Sequence, residues 1–142
     1  MTNKPITIRG SGDATIIDLG ANAISAFDVP FAQAYAFENL QITGSVANLD
    51  RRIVSISAAA RVSLNRITAS NIRRAIEVTG GVGPVINIDT CIWVLLNDPA
   101  SFFIGANAFT TVHAQNVSCV GASGAGGIAG SPVVEFVDVL FT

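Results

Sequence analysis

The sequence predicts an all-β solenoid, a rod of short strands wound in successive turns, and three observations carry that expectation. An Asn-centred phrase returns about once every two dozen residues. Its copies are Phe37-Glu38-Asn39-Leu40-Gln41-Ile42-Thr43, Leu64-Asn65-Arg66-Ile67-Thr68, Val85-Ile86-Asn87-Ile88-Asp89-Thr90 and His113-Ala114-Gln115-Asn116-Val117-Ser118, with Phe136-Val137-Asp138-Val139 as a worn last copy. Taking Ile42, Ile67, Ile88, Val117 and Val139 as equivalent gives steps of 25, 21, 29 and 22 residues. Such a period marks units that bury their apolar faces only by stacking on one another. The second observation is a closer pair: Arg51-Arg52-Ile53-Val54-Ser55-Ile56 is followed 22 residues later by Arg73-Arg74-Ala75-Ile76-Glu77-Val78. Third, no segment carries a long stripe of period 3.6, so few or no helices are expected.

The elements follow in order. Ile6 to Gly20 alternates apolar and polar residues and breaks at Gly10-Ser11-Gly12, which reads as strand, turn, strand. Residues 21–36 are Ala-rich, but Pro30 interrupts them, so short strands are expected on both sides of a turn at Phe27-Asp28-Val29-Pro30. From 37 to 94 come four- to six-residue β runs: Ile53 to Ile56, Arg61 to Leu64, Ala75 to Val78, Val85 to Ile88 and Ile92 to Leu95. Turns are expected at Gly44-Ser45, Ala69-Ser70-Asn71, Gly80-Gly81-Val82-Gly83-Pro84 and Asn97-Asp98-Pro99, with Gly121–Ser131 as the longest loop. The recurring Asn suits sharp corners, because Asn tolerates left-handed backbone and stacked amides can bond along a rod. Asn39, Asn65, Asn87 and Asn116 are the expected ladder. No linker or second domain is visible, so residues 1–142 read as one domain.

Composition narrows the function classes. Half of the 142 residues are apolar and only 13% are charged, about half the usual share for a soluble domain (roughly 25%). A thin rod with so little charge suggests lateral surface covered by other subunits. The net charge of −2 gives no reason to expect nucleic acid. No apolar signal segment follows Met1-Thr2-Asn3-Lys4-Pro5, and the uncharged stretch from Pro99 to Val134 is too rich in glycine for a bilayer helix. Cys91 and Cys119 read as buried free thiols. His113 is the only histidine, so a triad or metal site lacks its usual partners, and a surface or interface place is expected.

At the level of motif, "ITIRGSGDATIIDLG", "FENLQITG" and "SLNRITASN" resemble the first coil and later rungs of the right-handed parallel β-helix family of pectate lyases and viral tailspikes. The resemblance spans nearly the whole chain and implies a right-handed parallel β-helix of about five to six rungs. Many members of that family cleave polysaccharides. The Asn-Thr-Asp, Asp-Asp, Gly-His-Gly and Arg-Ile-Lys motifs of its pectin hydrolases are absent here, and the ten acids are scattered. Hydrolysis needs carboxylates paired at a set separation, so no catalytic residue, cofactor or metal ligand is assigned.

The resulting expectation is a non-enzymatic bacteriophage virion protein: a trimeric decoration, cement or head-spike protein, made in the host cytoplasm and carried on the capsid. Its partners are further copies of itself and capsid proteins, with neither nucleic acid nor membrane. Arg51, Arg52, Arg73 and Arg74 form the candidate interface ridge, with Phe136 and Phe141 at an open apolar end. The alternative is a tailspike-like β-helix that binds or depolymerises a host surface glycan, with Asp18, Asp89 and Trp93 as the residues to check on an exposed face.

Overall fold

Inward and outward side chains alternate along each strand, and one regular break in that alternation shapes the molecule. The structure, a computed structural model, describes residues 4–12, 14–20, 25–44, 51–96, 101–106, 109–121 and 128–142. Its strands are β1 (Ile6–Arg9), β2 (Ile16–Asp18), β3 (Ser25–Val29), β4 (Ala34–Thr43), β5 (Arg52–Ile56), β6 (Arg61–Ile72), β7 (Arg74–Val78), β8 (Val85–Leu95), β9 (Phe102–Ala106), β10 (Thr111–Val120), β11 (Ile128–Gly130) and β12 (Val133–Phe141). All pairings are parallel. One sheet runs β1-β4-β6-β8-β10-β12, with β2 also on β4, and the other runs β11-β9-β7-β5-β3. The chain is a parallel β-solenoid of about four turns, slightly fewer than the five to six expected. No helix occurs among the described residues.

In β6 up to Ala69 the buried residues are Val62, Leu64, Ile67 and Ala69, and Ile72 follows past a second irregularity at Asn71. The spacing is two, then three, then two. The extra residue is Arg66, held at φ 53°. Asn39, Thr90, Asn116 and Asp138 do the same in their strands, at φ 53–54°. Each interrupts an otherwise continuous register with its neighbours, so the five form one column along the rod. This left-handed residue bends each long strand, which therefore presents two outer faces, while the short strands β3, β5, β7, β9 and β11 present a third.

The expected Asn ladder is corrected here. Asn39 and Asn116 stand in the bend column. Asn65, however, pairs with Glu38 and Asp89, one place before the bend, and Asn87 pairs with Ser63 and His113, three places before it. The aliphatic alignment shifts as well. Ile67, Val117 and Val139 share a column with Leu40 and Cys91, whereas Ile42 and Ile88 belong to flanking columns. Turn lengths differ between coils, and a slip of one residue would reverse every facing. The Ala69-Ser70-Asn71 turn lies inside β6, where Asn71 takes φ 56° beside a register shift. The 22-residue arginine step is one true turn of the solenoid, since Arg52 pairs with Arg74. The Asn97-Asp98-Pro99 turn, most of the Gly121–Ser131 loop, Ser45 and Asp50 lie outside the described residues.

The interior is aliphatic in the middle and aromatic at both ends. Ile53, Ile76, Leu64, Ile86 and Ile88 are buried mid-rod. Phe27 and Phe37 stack with centroids 3.9 Å apart at the first turns. At the last turns Phe103 packs tilted on Trp93 (5.0 Å) and edge-on to Phe136 (5.9 Å) and Phe141 (5.3 Å). Bulky rings fill the ends of a rod more completely than branched aliphatics, and such pairs add about 0.5–1.5 kcal/mol beyond their burial. The expected closure of the open end by Phe136 and Phe141 is thus an internal aromatic cluster, in which both rings are half-buried.

Candidate functional site

The outer faces differ in chemistry. On the short-strand face, Arg52 and Arg74 stack one above the other and both ion-pair with Glu77, at 2.7 Å for Arg74. The Arg74 guanidinium also lies over the Phe102 ring at 5.5 Å from its centroid. Strand pairing thus matches two bases with an acid, which moderates the ridge. Arg73 is half-exposed.

Arg51 corrects its sequence assignment, because it is fully buried and offers nothing to a partner. Its side chain runs past Gly44 to donate a hydrogen bond to the Gly20 carbonyl. A Cβ on Gly44 would meet Arg51 Cδ at 2.6 Å. The sequence signal for this role is the Gly44 that leaves the passage open.

The face before the bend carries the polar groups. Asn87, Asp89, His113, Gln115 and Glu135 line a shallow groove of about 240 Å³ whose apolar lining includes Val137. His113 Nδ1 lies 2.9 Å from Glu135 Oε2, one turn away. Asp89 Oδ1 accepts from the Thr90 hydroxyl at 2.9 Å and from Asn116 Nδ2 at 3.3 Å. These bonds, the Thr90 one foremost, hold its carboxyl below the ordinary aspartate range. The groove can present donors and acceptors to a polar ligand. His113, expected at the surface or in an interface, is exposed.

The glycan-platform residues are not brought together. Asp18 is exposed on β2, beyond the bend of the first coil, and Asp89 stands on the other side of the bend. Trp93 points inward and is fully buried against Phe103, so it cannot stack on a sugar. Its indole N–H makes no hydrogen bond among the described residues. Cys91 and Cys119 are free and buried as expected, in registers opposite Val117 and Trp93 respectively. Burial pushes both thiols up to about 12.

The face after the bend was missed by sequence reasoning. Its outward residues from β4 to β12 are Gln41 and Thr43, Thr68 and Ser70, Ile92 and Val94, Ser118 and Val120, then Leu140. None is charged. Ile92 and Leu140 are 54% and 58% exposed, with Ser118 between them in one column and Val94 and Val120 in the next. Ile92-Trp93-Val94 reads in sequence as a buried run, which hid the fact that only Trp93 points inward.

Comparison with protein-family models, curated proteins and solved structures finds no match. The parallel β-solenoid stands on its strand pairing alone.

Proposed function

We propose that the protein is a non-enzymatic structural component of a bacteriophage virion, a capsid decoration, cement or head-spike protein that works as a homotrimer. The face after the bend, uncharged from β4 to β12, carries this reading. When three copies turn this face towards a common axis, a charge near the axis would meet its own copies, whereas Ile92, Val94, Val120 and Leu140 lose water with no charge to desolvate. The low charge of the whole chain and the motif resemblance to viral tailspikes support the same reading. The ion-paired Arg52–Arg74–Glu77 face and the polar groove remain available for capsid contact.

The test is Ile92→Lys, alone and with Leu140→Lys. Three facing ammonium groups oppose association, so the mass should fall from three chains to one while the circular dichroism stays that of a β fold. An unchanged mass would sink the assignment of this face. Glycan fragments that raise the melting temperature of wild type but not of Asp89→Asn would move the function to the polar groove, as the carbohydrate-binding alternative requires.

A further inference from the structure

The two ends of the rod are strand edges that continue the same columns and, up to the bend, carry complementary charges. Among the described residues no strand lies beyond β1 or β12. Ile6 stands in the inward column of Tyr35, Val62, Ile86, Val112 and Val134, yet it is 41% exposed because nothing stacks beneath it. Ile8 relates in the same way to Phe37 and Phe136, and Ile17 to Ile42 and Phe141. Val134, Phe136, Val139 and Phe141, the matching residues of β12, are only partly buried. Each end is therefore an apolar cross-section rimmed by backbone without a ladder partner, the kind of edge that templates another strand.

Charge distinguishes the ends. Before the bend Lys4 precedes β1 and Arg9 closes it, with Asp18 on β2 as the acid beyond the bend, while β12 carries Glu135 before the bend and Asp138 in it. Arg9 is well exposed and reaches Glu38 on the next turn at 2.6 Å. Asp138 occupies the bend column and Arg9 the place just before it. Inside the molecule the same step, from a bend residue to the place before the bend on the following turn, relates Arg66 to Asp89, whose charges attract each other across adjacent turns.

We propose that a second copy of this chain docks head to tail, its β1–β2 edge on the β12 edge of the first, so that the inward columns run on and Arg9 meets Asp138 across the junction. The contact uses different surfaces on the two copies and leaves a free edge at each end. It therefore propagates into rods and does not stop at a dimer. This axial contact is independent of the lateral trimer.

The experiment uses Arg9→Glu and Asp138→Lys, each alone and mixed in equal amounts, followed by sedimentation velocity over a concentration series and by electron microscopy. A long cation fits the bend column, as Arg66 already does, so Asp138→Lys decides the matter even if Arg9→Glu melts early beside Glu38. Wild type should gain mass with concentration and form rods. Each variant alone should associate at least about tenfold more weakly, and the mixture should recover association by alternating the two. Each variant should keep the lateral unit, which separates this contact from the trimer. Wild-type mass independent of concentration, a folded Asp138→Lys that associates like wild type, or folded variants whose mixture fails to recover would overturn the axial contact.

Discussion

At the residue scale the fold turns on five left-handed positions, and their occupants suit that backbone unequally. Asn and Asp adopt φ near +55° at modest cost, whereas a β-branched residue there is strained by roughly 1–3 kcal/mol. Thr90 at φ 54° is the outlier of the column. Thr90→Asn should stabilise the protein by about 1 kcal/mol, a rise of roughly 2–4 °C in melting temperature, even though it gives up the hydroxyl bond to Asp89. A lower melting temperature would show that this bond outweighs the strain. The two thiols make a second prediction. Their folded pKa is raised from 9.0 to about 12. Above pH 9 the unfolded chain therefore loses protons that the folded chain keeps. The stability they contribute is complete below pH 9 and is lost as pH rises towards 12. Urea melts across that window should decline less steeply for Cys91→Ala/Cys119→Ala than for wild type.

At the element scale the repeat was legible where coils keep a constant length and hidden where they do not. Arg52 and Arg74 were aligned from sequence because one turn of 22 residues separates them. The Asn phrase drifted because the chain between bends is longer in some turns, and Asn65 and Asn87 fell near the bend without occupying it. A better signal was present: the inward pairs Val62-Leu64 and Ile67-Ala69 keep period two but are separated by three, and that break marks the bend without reference to Asn. The outer face after the bend was illegible for a different reason. Strands rich in apolar residues on both sides give no alternation to read. The aromatic end clusters were half-visible, since the C-terminal phenylalanines were noted while the Phe27–Phe37 stack was not. Phe103 joins Trp93, Phe136 and Phe141, so Phe103→Ala should cost about 3–5 kcal/mol. Hydrogen exchange should show β9, β10 and β12 losing protection before β5 and β6. Uniform loss along the rod would contradict an end cluster of its own.

At the scale of the whole molecule, a rod of about four turns has little interior for its surface, and the proposed association would cover part of it. Its bend creates one face that is polar, one that is uncharged, and a short-strand face where Glu77 answers two arginines. The uncharged face asks for identical neighbours around an axis, and the strand edges ask for neighbours along it. The proposed virion role would use both, because decoration demands a rigid unit that repeats. Light scattering of Asp138→Lys, in which axial growth is suppressed, isolates the lateral contact across a dilution series. The account predicts a mass of three 14.7 kDa chains that persists on dilution and falls to one when Ile92→Lys is added. A single-chain mass at every concentration would contradict it.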